Sequence, residues 1–325
     1  MNIQKGKQKR PQIHIIYGPA GIGKSTLASY YPRPLFLDTE EGSGQLDVHR
    51  VQTRVMSDLG SCFAEILAGM ANEYATVVID TSDNFWRMSA DSLCAEHGWT
   101  NIETPGYGKG YTYVLQRIDE IADTLVQIRS MGFNVVLVNH ADVMKMSPPD
   151  AEEFTKYTLK MAAAPNKQAA KAGQRLLEFA DAVFFCHQVI NTSSSGKAIG
   201  EERVIEVSPH PAWDAKNRYG LTERMPLCRE SVEKILASAG MPTEAPGIPE
   251  ERNAPAAATA APTSAPTLDF DEELMVRYMR GTGRIHEGEG LESLNPKLRE
   301  AIANRPEDAM KAARDWAAKQ EGGQE

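Results

Sequence analysis

The sequence has no long apolar run. No part of its 325 residues forms an uninterrupted hydrophobic stretch of about 18 residues, the minimum for a membrane-spanning helix. The basic start MNIQKGKQKR is followed by the short run IHIIYG, and not by the apolar core and small-residue cleavage site of a secretory signal. We therefore expect a cytoplasmic protein that makes no membrane contact.

Cysteine is scarce, and basic charge is not in excess. The four cysteines are scattered and form no CxxC pair, which is typical of reduced thiols in a cytosolic protein. The formal net charge of −9 argues against a surface that is basic throughout, as a general nucleic-acid coat would be. It does not exclude a local basic loop.

Short apolar runs alternate with longer amphipathic patterns along most of the chain. Between two of these runs, apolar residues recur at three- and four-residue steps from Val114 to Ile128 and predict a helix. Strands that alternate with helices predict an α/β fold, a mostly parallel twisted sheet flanked by helices. A loop before the last run predicts an antiparallel end to this sheet. The six predicted strands are IHIIYG, PLFLDT, ATVVIDT, NVVLVNH, AVFFCHQVI and RVIEVS.

Composition divides the chain into four parts. Residues 1–11 form a basic tail, and residues 12–240 carry the α/β pattern. Residues 241–267 are rich in Pro, Ala and Thr, so they predict a disordered linker. Residues 268–325 are acidic and predict a small helical C-terminal tail, which is a candidate contact for a protein partner.

The first predicted strand leads directly into a phosphate-binding loop. Residues 18–25, GPAGIGKS, satisfy the pattern G-x-x-x-x-G-K-[ST] between a strand and a helical stretch. Such a loop points successive backbone N–H groups into one concavity that suits anionic oxygens. We expect Lys24 to reach the β- and γ-phosphates of a nucleoside triphosphate and Ser25 to place its hydroxyl on Mg²⁺. The predicted nucleotide contacts are Gly18, Pro19, Ala20, Gly21, Ile22, Gly23, Lys24, Ser25 and Thr26.

An aspartate ends the third predicted strand. In TVVID, residues 76–80, four residues precede Asp80 at the carboxyl end of the run. An acid after apolar residues is often only a strand end, but together with the loop at Lys24 it predicts a second magnesium contact.

A glutamate follows the second predicted strand. Glu40 lies in LFLDTE, at the same edge of the sheet as the phosphate loop. A carboxylate there could orient the attacking water in hydrolysis. Taken alone, Asp38, Glu40 and Glu41 fit a polar strand exit equally well.

The run FLDTEEG resembles the second-strand motif of the RecA/RadA recombinase superfamily, in which this glutamate is the hydrolytic base. The resemblance therefore implies a RecA-like P-loop NTPase core, with ATP and Mg²⁺ bound and Glu40 as the base. The fourth strand ends in Val138-Asn139-His140, similar to the strand that carries a polar γ-phosphate sensor in that superfamily. The family more often has Gln where this chain has His140, and a histidine adds a pH sensitivity that Gln lacks.

A basic motif lies far along the chain. KNRYG, residues 216–220, resembles the KNRFG-type motif of RadA and of DnaB-like helicases. There the basic pair reaches across a subunit interface to the γ-phosphate of the neighbour. The resemblance implies that Lys216 and Arg218 act in trans, and that the protein is a homo-oligomer, either a ring or a filament. Alternatively, Lys216 and Arg218 belong to an exposed polar turn with no catalytic role.

The arrangement more narrowly resembles phage-encoded, RecA-like nucleotide-binding proteins found beside single-strand-annealing recombination genes. The shared segments, in order, are GPAGIGKST, FLDTE, VVIDT, GYGKGY, VVLVNH and AWDAKNRYGL. They span roughly residues 12–235 and leave the linker and tail uncovered. For a phage-encoded protein the expected location is the cytoplasm of the host.

Two segments are candidates for contact with single-stranded DNA. Residues 106–111, GYGKGY, follow the third strand, and residues 141–175 follow the fourth. Within the latter, residues 155–175 hold five cations and no acid. Spaced cations can follow a phosphate backbone and tyrosines can stack on bases, although a solvated helix face and a Gly-rich turn would look similar. The candidate contacts are Tyr107, Lys109, Tyr111, Lys156, Lys160, Lys167, Lys171 and Arg175.

Two hypotheses about function follow. The first is a recombinase-like ATPase that assembles on single-stranded DNA and is stimulated by that assembly, with a hexameric translocating motor as a variant. The second is a nucleotide-gated adaptor with little turnover, which recruits a partner through the C-terminal tail.

Overall fold

A computed structural model describes residues 5–6, 10–69, 71, 73–150, 152–192, 198–222, 224–241 and 272–281. The chain divides into two units, Met1–Asn253 and Ala254–Glu325. The predicted linker, apart from residue 241, and most of the predicted tail lie outside the described residues. Within the second unit, the described element is one helix.

The described elements follow the alternation seen in the sequence. In chain order they are β1 (Ile13–Gly18), α1 (Lys24–Ser29), β2 (Pro34–Asp38), β3 (His49–Gln52), α2 (Met56–Leu67), β4 (Thr76–Asp80), a 3₁₀ turn (Ser82–Asn84), α3 (Phe85–His97), α4 (Lys109–Ser130), β5 (Asn134–Met146), β6 (Phe154–Leu159), α5 (Lys167–Phe179), β7 (Ala182–Thr192), β8 (Ala198–Glu206), β9 (Met225–Pro226), α6 (Arg229–Ala239) and α7 (Glu272–Gly281).

The strands form one mostly parallel sheet. Its order is β3-β2-β4-β5-β1-β7-β8-β9, and neighbours are parallel from β3 to β7. The last two strands are antiparallel, as the sequence predicted for the end of the sheet. The expected α/β fold, a mostly parallel sheet flanked by helices, is confirmed.

The central strands of the sheet are largely apolar and are buried on both faces. Ile13, Ile15 and Tyr17 of β1 pack in a cluster with buried residues of α2 to α5. Ile16, which points the other way, packs in a second cluster with buried residues of α1 and α6. Covering both faces of a parallel sheet with helices explains why its strands lack polar alternation.

Strand register gathers the carboxyl ends of four strands at one edge. Gly18 of β1 lies opposite His140 of β5, and Asp38 of β2 lies opposite Asp80 of β4. Because these strands are parallel, the segments that leave them begin side by side. The phosphate loop and the segment that carries Glu40 are two of these.

Three strands are absent from the sequence prediction. β3 has the sequence HRVQ and is mostly exposed at the edge of the sheet, and β9 has only two residues, so neither has an apolar run. β5 continues past His140 to Met146 and pairs with β6 in an antiparallel ribbon. Residues 141–175, which follow the fourth predicted strand, contain this ribbon and most of α5.

In the part of the chain that the structure describes, no helix is both long and apolar enough to cross a membrane.

The position of α5 depends on a close approach at Gly173. A Cβ atom at this position would overlap the backbone of Ala162, in the segment that follows β6. We expect Gly173→Ala to lower the free energy of unfolding by about 1–3 kcal/mol, because overpacking must displace backbone. Urea denaturation of the full chain measures this.

Gly60 in α2 is the matched control, because a Cβ there would meet no atom within 4 Å. Gly60→Ala should raise the free energy of unfolding by about 0.5–1 kcal/mol through reduced backbone entropy of the unfolded chain. Equal effects of the two substitutions would show that α5 is not packed as described.

Candidate nucleotide site

The phosphate loop connects β1 to α1 without a break. Gly23 precedes α1 with a φ of 109°, a left-handed conformation that strains any other residue. Ile22 is buried and anchors the loop to the core. The ammonium group of Lys24 donates hydrogen bonds to the carbonyl oxygens of Gly18 at 3.1 Å and Pro19 at 2.9 Å. The backbone of Lys24 lies at the end of the loop, and its ammonium group is bound to the start of the loop.

Lys24 is a nearly buried cation, with 5% of its surface exposed. Burial lowers its pKa, whereas the nearby carboxylates of Asp83, Asp80 and Glu40 act in the opposite direction. The three carboxylates favour the charged form of the lysine, and that form can bind an incoming anion.

Asp80 is buried at the end of β4 and contacts the first turn of α1. Burial raises the pKa of its carboxyl group, and the neighbouring Ser25 side chain acts in the opposite direction. The second carboxylate oxygen, Oδ2, is buried without a hydrogen-bond partner among the described residues. A hydroxyl beside an unsatisfied buried carboxylate oxygen fits a divalent cation such as Mg²⁺.

Asp38 shapes the segment that carries Glu40. Its carboxylate accepts hydrogen bonds from the backbone N–H groups of Glu40 and Ser43, both at 3.1 Å, and from the Ser43 hydroxyl. Burial acts to raise the pKa of Asp38, but these hydrogen bonds outweigh it and hold the pKa below its usual value. The turn after β2 is thus fixed by its own buried acid.

Two residues that follow β4 hold Glu40 in place. Its Oε1 atom accepts hydrogen bonds from the Thr81 hydroxyl at 3.0 Å and from the Asn84 side-chain amide at 3.3 Å. The carboxylate is therefore oriented beside Asp80.

His140 is bound by Asp83. The Oδ2 atom of Asp83 lies 2.7 Å from the backbone nitrogen and 2.8 Å from the Nδ1 atom of His140. Polar atoms of Glu40, Asp83 and His140 all lie within 4.8 Å of one another. The carboxyl ends of β2, β4 and β5 thus meet in one polar cluster.

One cavity, of about 340 Å³, is bordered by residues of the phosphate loop together with Glu40, Asp80 and His140. The structure thereby brings together eight residues that the sequence predicted from separate motifs. Three larger cavities among the described residues, of about 430, 400 and 360 Å³, are bordered by other residues and lack a phosphate loop, so chemistry and not size assigns the site. The residues around the cavity are Gly21, Gly23, Lys24, Ser25, Thr26, Glu40, Gly42, Asp80, Thr81 and His140.

Lys216 and Arg218 do not border this cavity. The ammonium group of Lys216 donates hydrogen bonds to the carbonyl oxygens of Leu177, Glu178 and Ala180, at the end of α5. Burial lowers its pKa, and the neighbouring charge of Arg218 acts in the same direction. Lys216 therefore holds the end of a helix in its own chain.

Arg218 lies near the start of β1, at the opposite end of the strands from the phosphate loop. Its guanidinium group is 3.6 Å from the buried carboxylate of Asp181, which also binds Arg10, Arg129 and the backbone N–H of Ile13. The Arg218 side chain is 60% exposed. Arg218 is thus accessible to a neighbouring molecule, whereas the ammonium group of Lys216 is hydrogen-bonded within its own chain.

The tyrosines proposed for DNA contact differ in exposure. Tyr107 is fully exposed, and Lys109 is the exposed first residue of α4. The Tyr111 hydroxyl donates a hydrogen bond to Glu103 at 2.8 Å, and its ring stacks on Trp86. Of the two tyrosines, Tyr107 is the more accessible.

The proposed basic contacts also fall into two groups. Lys156 pairs with Asp214 at 2.6 Å, and Arg175 pairs with Asp119. Lys160, Lys167 and Lys171 are exposed and have no ion pair with any described residue. Lys167 and Lys171 are four residues apart on α5 and therefore share one face.

Sequence reasoning missed the residues that position the site. Thr81 and Asn84 hold Glu40, and Asp83 holds His140. The signal was the polar run TSDN immediately after TVVID. Polar residues that follow a buried strand are common, however, and their partners are distant in sequence.

Comparison with known families agrees with this geometry. The family model described as AAA domain matches residues 10–219, well over half of the chain. The chain belongs to the AAA domain family. The match covers β1 to β8 and the KNRY part of the 216–220 motif, so this AAA domain contains the whole cavity. No curated protein matches the chain.

Membership in the family indicates a P-loop ATPase domain, which binds a nucleotide and generally uses ATP with Mg²⁺. The predicted P-loop architecture agrees with this assignment.

The two buried aspartates of the site should affect stability in opposite directions. In nucleotide-free protein with a chelator, Asp80→Asn should raise the free energy of unfolding at pH 8 by about 1 kcal/mol, because it removes an incompletely paired buried charge. A raised pKa in the folded state lowers stability as pH rises through it, so this gain should shrink toward pH ~4. Thermal or urea unfolding across this pH range measures the effect.

Asp38→Asn is the control, because hydrogen bonds lower the pKa of Asp38. Its ionised form stabilises the fold at neutral pH and loses that contribution as pH falls through the folded pKa. Asp38→Asn should therefore destabilise the protein at pH 8. A loss of stability in both variants would show that the Asp80 carboxylate is well compensated by the protein, which contradicts its assignment as an unsatisfied group that fits a cation.

Proposed function

We propose that this AAA domain protein is a RecA/RadA-like ATPase that assembles on single-stranded DNA and acts in phage recombination, annealing or replication. One observation carries the ATPase part. Lys24, Ser25, Asp80, Glu40 and His140 come from four separate segments and border a single cavity. The part that concerns DNA is supported by the resemblance to phage proteins and by the exposed lysines of α5.

Binding of the triphosphate would use the loop between β1 and α1. Its backbone N–H groups and the ammonium group of Lys24 offer hydrogen-bond donors and positive charge to phosphate oxygens. Lys24 would exchange its hydrogen bonds with the Gly18 and Pro19 carbonyls for bonds to phosphate. These bonds form within the loop, so the lysine needs no long movement.

Magnesium would be held by the Ser25 hydroxyl and, directly or through water, by Asp80. When bound, Mg²⁺ neutralises phosphate charge as it develops in the transition state. The unsatisfied Oδ2 atom of Asp80 supports this assignment from the side of the protein.

Hydrolysis would use Glu40 as the base. A water oxygen attacks the γ-phosphorus, and the bond between that phosphorus and the β–γ bridging oxygen breaks, which leaves ADP and inorganic phosphate. Glu40 accepts the proton of the water and returns it to phosphate or solvent. The hydrogen bonds from Thr81 and Asn84 occupy Oε1 and leave Oε2 for the water.

A basic group from a neighbouring subunit would complete the site. Arg218 is the better candidate because it is exposed and lies in a single long ion pair with Asp181. Lys216 would have to give up three hydrogen bonds to reach a neighbour, and its contacts support a role in holding α5. Assembly as a ring or a filament would then control turnover.

Replacement of Glu40 tests the ATPase assignment. Glu40→Gln keeps the shape and hydrogen-bonding capacity of the side chain but removes the base. Turnover should fall by about 100-fold or more, while ATP binding is retained. Phosphate release and equilibrium ATP binding should be measured on the same preparation.

Glu41→Gln is the matched control, because Glu41 pairs with Arg54 and does not border the cavity. Its turnover should equal that of the wild type. An unchanged rate in Glu40→Gln would refute the base assignment. ATP binding by the wild type without turnover would favour the adaptor hypothesis.

The lysines of α5 test the DNA assignment. Lys167→Ala with Lys171→Ala should weaken binding of single-stranded DNA and reduce its stimulation of ATP hydrolysis, both measured over a range of protein and salt concentrations. If both lysines contact phosphates, the slope of log affinity against log salt should fall by about 1.4.

The double replacement by arginine is the control, because it keeps both charges and should keep the slope. DNA binding by the alanine variant with an unchanged affinity and slope would place the DNA elsewhere. A turnover rate that ignores DNA and rises only linearly with protein would contradict assembly on DNA.

A further inference from the structure

His140 and Asp83 form a hydrogen-bonded pair that the sequence did not predict. Both contacts go to the same carboxylate oxygen, at 2.7 Å from the backbone nitrogen and 2.8 Å from Nδ1 of His140. The Asp83 side chain is only 8% exposed, whereas that of His140 is 28% exposed. The carboxylate therefore supports the histidine from inside the protein.

These contacts fix the tautomer of the ring. An ionised carboxylate can only accept hydrogen bonds, so Nδ1 of His140 carries a hydrogen atom. In the neutral ring the other nitrogen, Nε2, then has a lone pair and no hydrogen. His140 borders the nucleotide cavity, and no described residue forms a hydrogen bond with Nε2.

A lone pair at Nε2 is unsuited to a γ-phosphate. Phosphate oxygens are hydrogen-bond acceptors, so the neutral ring would place one acceptor against another. The imidazolium ion carries a hydrogen atom on both nitrogens and can donate to Asp83 and to phosphate together. A glutamine amide always carries donor hydrogens and needs no such change.

We propose that His140 takes up a proton when ATP binds, and that Asp83 is the positioning residue that imposes this requirement. The inference rests on the proposed ATP site. Binding of a triphosphate then depends on pH, whereas binding of ADP, which lacks the γ-phosphate, does not. The nucleotide state of the protein is thereby coupled to proton concentration.

Titratable side chains face the ring from several elements. They include carboxylates from three segments and the lysine of the phosphate loop. The segment after β6 adds an exposed lysine, whose backbone N–H donates to the carbonyl of His140 at 2.9 Å. The titratable groups are Asp83, Glu40, Asp80, Lys24 and Lys160.

Calorimetric titration of the full chain measures this coupling. ATPγS and ADP, each with Mg²⁺, are titrated at pH 8 in buffers of different ionisation enthalpy, and the dependence of the observed heat on that enthalpy counts protons. The wild type should take up as much as one proton more with ATPγS than with ADP. Its affinity for ATPγS should fall as the pH rises, by as much as tenfold per pH unit.

His140→Gln is the matched variant, because it keeps a donor but cannot titrate. It should bind ATPγS with no more proton uptake than ADP causes, and with an affinity that is nearly independent of pH. Asp83→Asn keeps an acceptor oxygen but loses the charge, so the pH midpoint of ATPγS affinity should move to lower pH. A purely structural role of Asp83 would weaken binding without moving that midpoint.

The outcomes separate this inference from the proposed function. Equal proton uptake in the wild type and His140→Gln would overturn the inference and leave the ATP site intact. If Asp83→Asn has the same pH midpoint of ATPγS affinity as the wild type, the proposed role of Asp83 is wrong. Proton release on ATPγS binding, together with turnover that requires neutral His140, would also overturn the inference. The pair would then act as a base. Absence of nucleotide binding by the wild type would overturn both proposals.

Discussion

Parallel pairing of β2, β4, β5 and β1 is the constraint on which the site depends. It places Asp38 opposite Asp80 and Gly18 opposite His140, so the segments after these strands share one edge. The pairing in turn requires apolar residues on both faces of each strand, covered by helices. The same segments of the sequence therefore specify both core and site. Their apolar residues form the core, and the polar residues that follow them form the site.

The sequence predicted the strands whose apolar runs are longest, and it predicted the phosphate loop, Asp80 and Glu40 because each follows such a run. It did not predict β3, a short and mostly exposed edge strand. It also missed the contacts of Thr81, Asn84 and Asp83. These join residues about 40 to 57 positions apart in the chain, and such pairs depend on strand register.

Two charged side chains of the site, Lys24 and Asp80, are poorly compensated by the protein alone. Burial lowers the pKa of Lys24 and raises that of Asp80, which means that both charged forms are disfavoured by the protein interior. Asp38 differs, because three hydrogen bonds from its own turn compensate its charge. A nucleotide with its metal ion would supply to Lys24 and Asp80 the partners that the chain itself provides to Asp38.

β5 is a single strand from Asn134 to Met146, and His140 lies in its middle. Its outer half pairs with β6, and Tyr157 of β6 exchanges backbone hydrogen bonds with Ala212 and Asp214, just before the KNRYG motif. These backbone hydrogen bonds join the strand that carries His140 to the segment that leads to Arg218. A displacement of β5 at His140 would therefore have to be accommodated by that segment as well.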